Sequence, residues 1–203
     1  MDGLVSQSTL KLPTKQQVSP PPGALNSLID ATAIISASAI IEKGAVIGDH
    51  NLIQQNVTIH RDTLQGSGIT YIGNDNNLMS HAHIGHDCIV GSHCLFASNV
   101  GLAGHVEVDD FAIISAGSAI HQFCVVGTYV LINTGACVVQ DIPPYVIAEG
   151  NRAVPVGIKE TGVETDWINS GDRRAVIEAY RLIYYTGKLV ADVNNEIALL
   201  AKE

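Results

Sequence analysis

Apolar residues recur every sixth position from Ile72: Ile72, Leu78, Ile84, Val90, Phe96, Leu102, Val108, Ile114, Ile120, Val126, Ile132 and Val138. A period of six matches neither a 3.6-residue helix nor a simple strand alternation, and it marks a repeat array. Each hexad predicts one short strand and a turn, with its aliphatic residue pointing into a shared core. Three hexads close one triangular coil, so residues eighteen apart stack at about 4.8 Å per coil. The expected fold is mainly β, a parallel β-helix whose core is buried only by stacking of neighbouring coils.

An earlier set, Ile35, Ile41, Ile47, Ile53 and Ile59, has the same spacing. Between His60 and Tyr71 the phase slips by one, so RDTLQGSGIT reads as a loop at a coil corner, a place where binding clefts are often edged. Together the hexads make between five and six coils. Two prolines in DIPPYV, from Asp141 to Val146, are expected to stop the repeat. Three regions follow: a polar, proline-rich arm over 1–28, the β-helix over 29–146, and an irregular connection with C-terminal helices over 147–203. In the tail, Val176, Ile177, Tyr180, Ile183 and Tyr184 form one apolar helical face. Leu189, Val193, Ile197 and Leu200 form a second beyond Thr186-Gly187. The tail is expected to cap the solenoid's open end or pack on its own trimer.

The 203 residues suit one core with a small appendage. Aromatics are only 5% of the chain, which suits thin coils filled by Ile and Val. A net charge of −9 without a basic stripe argues against nucleic acid and anionic membranes as partners. No apolar run is long enough for stable membrane insertion. Cys88, Cys94, Cys124 and Cys137 form no CxxC pair and read as reduced thiols of a cytoplasmic protein.

Candidate chemistry follows from the coil repeat. Hexads beginning at Ile84, Leu102 and Ile120 lie one coil apart. They place His83, His86, Asp87, His105, His121 and Gln122 in one strip over three coils. Imidazole is the natural general base near neutral pH, and a carboxylate beside His86 can set its tautomer. No GxSxG nucleophile signature is present, and Cys88 is expected to face the core. The cheapest chemistry is direct transfer, with His86 taking a proton from a hydroxyl or amine while a backbone N–H near Gly104 holds the oxyanion.

The stretches NVTIHRDTLQGSG, IGNDNNLMSHAHIGHDCIVG, GLAGHVEVDDFAIISAGSAIHQFCVVG, QDIPPYVIAEGN and AYRLIYYTGK resemble the UDP-N-acetylglucosamine O-acyltransferase family of lipid A synthesis. The resemblance runs from about Ile34 to Glu203. It implies a single-stranded left-handed β-helix, a homotrimer with sites between subunits, and no bound cofactor or metal. The co-substrate would be acyl-phosphopantetheine on acyl carrier protein. By position, His86 corresponds to the catalytic base, Asp87 to its support and Gly104 to the oxyanion donor. His83, His105 and Gln122 line the acceptor and pantetheine site. Asn151 and Arg152 lie along the phosphopantetheine arm, and Arg181 meets the carrier protein.

The departures concern the acceptor half. The N-terminal coils are shortened, and Glu164-Thr165-Asp166-Trp167 replaces a basic cluster that grips nucleotide phosphates. Lys159 and Thr161 replace an Asn and a Glu near the uracil. Asn133-Thr134 replaces two glycines of the acyl channel, so Thr134 is expected to shorten the cavity. The expected activity is therefore transfer of a (3-hydroxy)acyl group, of shorter chain, to UDP-N-acetylglucosamine, a related amino sugar or a small amine. Rival readings are a zinc-dependent γ-class-like carbonic anhydrase using His81 and His86, a non-catalytic ligand-binding β-helix, and an acetyl-coenzyme A enzyme.

Overall fold

The computed structural model describes residues 28–64, 68–160, 170–186, 192–193 and 197. Among them, eighteen two-residue strands run from β1 (Leu28–Ile29) to β18 (Cys137–Val138), one per hexad. Every third strand falls in the same parallel sheet, giving three faces in the order A, B and C around each coil. From β7 (Tyr71–Ile72) onward the register is eighteen residues per coil, as in Ile89↔Glu107, Leu95↔Ile113 and Gly101↔Ala119. Six turns of left-handed β-helix result, as the hexad pattern and the resemblance predict.

The second residue of each strand points inward. Ile59, Ile72, Leu78, Ile84, Val90, Phe96, Leu102, Ile114, Ile132 and Val138 are fully buried. At about 1.5–3 kcal/mol for each large side chain buried, this interior stack is what holds the coils together. Where a polar side chain enters the core it is satisfied. Asn51 donates to the Gly48 and Gly73 carbonyls and accepts from the Asn76 N–H. Asn76 repeats the arrangement one coil on, donating to Gly91 O and accepting from the Cys94 N–H.

The fifth position of the hexad turns the chain through the left-handed region. His50, Asn56, Asp75, His81, Asp87, His93, Asn99, His105, Phe111, Phe123 and Tyr129 all have φ between 53° and 65°. Each corner therefore carries a column of outward side chains. On the corner from face A to face B, the rings of His93, Phe111, Tyr129 and Tyr145 stack in succession at 4.8, 4.5 and 5.8 Å.

The one-residue phase slip is a seven-residue insertion. Val46 pairs with Tyr71, Leu52 with Asn77 and Thr58 with His83, an offset of 25 rather than 18, and 25 − 18 = 7. The insertion falls between faces C and A, at the corner where the loop reading places it.

DIPPYV does not end the stack. Ile142 bridges Val126 on face A, Ile147 pairs with Leu131 on face B, and Asn151 bridges Cys137 on face C. A seventh, tighter turn results, with Ile142 and Val146 buried. Its prolines fall at the corner, where no ladder donor is needed. The stretch expected to be irregular instead forms a hairpin, in which β19 (Val146–Glu149) pairs antiparallel with β20 (Val154–Ile158). Helix α1 (Ser170–Tyr185) packs on β20, and Tyr180 donates 2.7 Å to the Pro144 carbonyl. Its buried side is narrower than the expected face: Leu182 is buried and Tyr180 meets the core, but Ile177, Ile183 and Tyr184 are exposed. The second expected helix lies largely outside the described residues, though Val193 is buried.

Candidate active site

The corner between faces C and A collects most of the expected site. After β9 (His83–Ile84) the chain turns through Gly85, His86, Asp87 and Cys88 into β10 (Ile89–Val90). The Asp87 carboxylate is fully buried and sits 2.9 Å from Nδ1 of His86, whose side chain is 42% exposed. A carboxylate only accepts, so Nδ1 carries the proton and Nε2 keeps its lone pair. His86 thus offers a solvent-reachable imidazole nitrogen backed by a buried anion.

One coil further, Gly104 and His105 occupy the positions of His86 and Asp87. The His86 ring lies across the Gly104 Cα, and a β-carbon there would fall 2.5 Å from Nε2. Only glycine leaves room for that ring. Among the described residues, no backbone carbonyl accepts from the Gly104 N–H. His105 meets His86 edge-to-face, with ring centroids 5.0 Å apart, and its Nε2 is 3.9 Å from Asp87 Oδ2. Gln122 follows Gly104 in the same column, and Phe123 stacks on His105 at 4.6 Å.

Burial is the strongest single influence on Asp87 and pushes its carboxyl up. Hydrogen bonds from His86 and Thr63, with the nearby His105 imidazole, outweigh it and hold the group below the usual carboxylate range. His83 points outward from face C, with Nδ1 2.7 Å from Thr58 Oγ1 and its ring edge-on to His60 at 4.7 Å. Burial, then the His60 imidazole, hold His83 below its ordinary value. His121 lies beside Gln122, its Nδ1 3.2 Å from the Gln122 carbonyl. Cys88 faces the core, as expected, and burial pushes its thiol up to about 11; all four cysteines are unpaired.

The other expected residues stand elsewhere. Asn151 tops the outward column of face C above Cys137, and Arg152 follows it, exposed. Thr134 lies on the corner between faces B and C, following Asn133, whose amide donates 2.8 Å to Glu149 Oε2. Lys159 sits at the A–B corner, 5.9 Å from the centre of the Tyr129 ring. Arg181 is exposed on α1 and pairs with Glu178 at 3.2 Å. Thr161 and Glu164–Trp167 fall outside the described residues.

Several partners were not read from the sequence. Phe123 is eighteen residues from His105, so the coil spacing itself could have found it. Thr63 reaches Asp87 from the inserted loop, where no hexad rule positions it, whereas Thr70 lies eighteen residues before Cys88 and the coil spacing places it beneath Asp87. His86, Asp87 and His105 also offer three donor atoms within 4.8 Å of one another, a set that could accept a cation such as zinc. As they stand, Nδ1 of His86 is turned onto the carboxylate rather than toward an open coordination position.

Residues 141–203 match the family model described as Udp N-acetylglucosamine O-acyltransferase, domain 2. Residues 69–104 match that of bacterial transferase hexapeptide (six repeats). Among solved structures, the UDP-N-acetylglucosamine acyltransferase of Francisella novicida is 29% identical with a TM-score of 0.72, over 87% of this chain and 84% of that one. LpxA from Acinetobacter baumannii is 31% identical at a TM-score of 0.68, over 84% and 90%. LpxA of Bacteroides fragilis, a UDP-N-acetylglucosamine acyltransferase, is 34% identical at 0.70, over 86% and 77%. Solenoid and matches together define an acyltransferase of the hexapeptide-repeat class. Within that class, the chain belongs to the UDP-N-acetylglucosamine O-acyltransferase family.

Proposed function

We propose that the protein moves an acyl group from the phosphopantetheine thioester of acyl carrier protein to a hydroxyl or amine, with His86 as general base. The observation that carries this reading is the contact between the buried Asp87 carboxylate and Nδ1 of the exposed His86. In the reaction, His86 Nε2 takes the acceptor's proton as its oxygen or nitrogen bonds to the thioester carbon. The Gly104 N–H, which has no backbone acceptor among the described residues, donates to the developing oxyanion. As the carbon–sulfur bond breaks, the imidazolium returns the proton to the leaving sulfur, so no metal or bound cofactor enters the balance.

The outward column of face C supports a pantetheine-length donor. Above His83 come Gly101, Ala119 and Cys137, then Asn151, a run of four rungs, or about 19 Å. A β-carbon at Gly101 would meet nothing within 4 Å, so the column is low where an extended arm would lie. Arg152 ends it with an exposed cation.

A homotrimer completes the site. His86, Thr134 and Lys159 occupy three different corners of one chain and cannot line a single cleft within it, whereas a neighbouring copy would bring a second corner close. Face B favours such contacts: its outward residues are Ile34, Leu52, Asn77, Leu95, Ile113, Leu131 and Ile147, six of seven apolar. An uncovered stripe of that length is the mark of an interface.

The acceptor is UDP-N-acetylglucosamine, a related amino sugar or a small amine, and the replacements at 159–167 favour one with less phosphate or more positive charge. The test is mass spectrometry of turnover with acyl carrier protein thioesters and a panel of these acceptors. Acyl transfer that vanishes in His86→Ala supports the reading, and a panel without any acylated product overturns it. Among the described residues no helix is long and apolar enough to cross a membrane; a cytoplasmic setting fits a reaction supplied by acyl carrier protein.

A further inference from the structure

The seven-residue insertion in the hexad frame is flanked by two threonines that both reach a single residue. At the leading end, Thr63 Oγ1 donates 2.7 Å to Asp87 Oδ2. The Thr63 N–H lies 3.2 and 3.3 Å from the two carboxylate oxygens. At the trailing end, the fully buried Thr70 accepts the Asp87 N–H at 2.8 Å through Oγ1. Between these grips Asp87 holds a left-handed backbone at φ 59°. The loop is itself anchored, its Arg61 N–H donating 3.0 Å to Glu42 Oε2.

From this geometry we propose that Thr63 is a positioning residue, which acts on His86 through Asp87. Oδ2 receives the Thr63 hydroxyl and N–H as well as His86 Nδ1–H, and Oδ1 also faces the Thr63 N–H. Held by the Thr63 hydroxyl, the carboxylate cannot rotate about its Cβ–Cγ bond, and Oδ2 stays aimed at Nδ1. That aim keeps the proton on Nδ1 and the lone pair on Nε2, where a base must have it. Thr70 serves the same end by fixing the backbone from which the carboxylate springs. The loop is thus a clamp on the base's partner: Thr63, just after the Thr58–Ile59 strand, reaches across to Asp87 on the next coil.

Its kinetic consequence rests on the general-base reading of His86, but its geometric content does not, and the test separates the two. Protein labelled with 15N-histidine is compared as wild type, Thr63→Val, Thr63→Ala and Thr63→Ser by two-bond 15N–1H correlation. The His86 signals are assigned by their loss in His86→Gln. Wild type and Thr63→Ser should show the Nδ1-protonated tautomer, while Thr63→Val and Thr63→Ala should show a mixture with the Nε2-protonated form. In turnover, kcat should fall about tenfold in the Val and Ala variants, with KM within twofold, and return in Thr63→Ser. An unchanged His86 tautomer in both the Val and Ala variants overturns the proposal whatever kcat does. Absence of turnover in wild type defeats the acyltransfer reading alone and leaves the tautomer measurement to decide.

Discussion

The imidazole of His86 rests on the bare Cα of Gly104, one coil above it. A single methyl group at 104 would therefore push the ring off the line it shares with Asp87. Gly104→Ala should lower kcat roughly 10- to 100-fold, since a displacement of about 1 Å at a catalytic group costs on that order. Its φ is not in the left-handed region, so the backbone itself accepts alanine. Steady-state kinetics beside a thermal melt checks both halves: activity falls and the folded state remains.

Asp87→Asn keeps the shape and removes the charge. Without a pure acceptor opposite Nδ1 the imidazole loses its tautomer preference, and kcat should fall by roughly 10³-fold or more. The same substitution should change acid stability. The folded carboxyl lies below its ordinary value, so its contribution is fully present above about pH 3.9 and is lost as pH falls through the folded value. Equilibrium unfolding between pH 5 and 2 should show that part of the acid-dependent slope missing from the variant.

Thr134 stands at the B–C corner, where its side chain occupies space that glycine would leave open. Thr134→Gly should shift preference toward longer acyl chains, measured as the ratio of kcat/KM across a series of carrier-protein thioesters. An unchanged ratio removes Thr134 from the chain-length measure.

Ile113 points outward in the middle of the apolar stripe on face B. Ile113→Lys buries an unpaired cation wherever that stripe is covered, which costs several kcal/mol. By light scattering the wild type should run as the proposed three-chain assembly and the variant as a monomer, and transfer activity should fall with assembly. A trimer that survives the lysine places the interface on another face.

The spacing of six made the solenoid legible, because one inward aliphatic per strand is a physical requirement of stacked coils. The same arithmetic brought His86, Asp87, Gly104, His105 and Gln122 to one corner, since residues eighteen apart must lie one above another. It could not find Thr63: an insertion has no register, and its path depends on where the loop returns. It also misjudged the last turn. DIPPYV reads as a stop because proline lacks a donor, yet with Pro143 and Pro144 at a corner the chain shortens its step from eighteen to sixteen and keeps Ile142 in the core. On α1, periodicity overestimated the buried face: Leu182 is buried and Tyr180 reaches the core and the Pro144 carbonyl, while Ile177, Ile183 and Tyr184 are exposed.

The corner columns set function against thermodynamic comfort. Left-handed backbone disfavours residues with a side chain by about 1–2 kcal/mol, and glycine escapes that cost. At Asn99 a glycine would relax the turn and remove no group the reaction uses. At His105 the same exchange would relax the turn and remove an imidazole from the proposed site, and at Asp87 it would also give up the hydrogen bonds from Thr63 and His86. A search for hardier variants of this protein would therefore drift toward glycine at corners such as His105 and discard part of the proposed site on the way. Screens for thermal tolerance should be coupled to a readout of turnover.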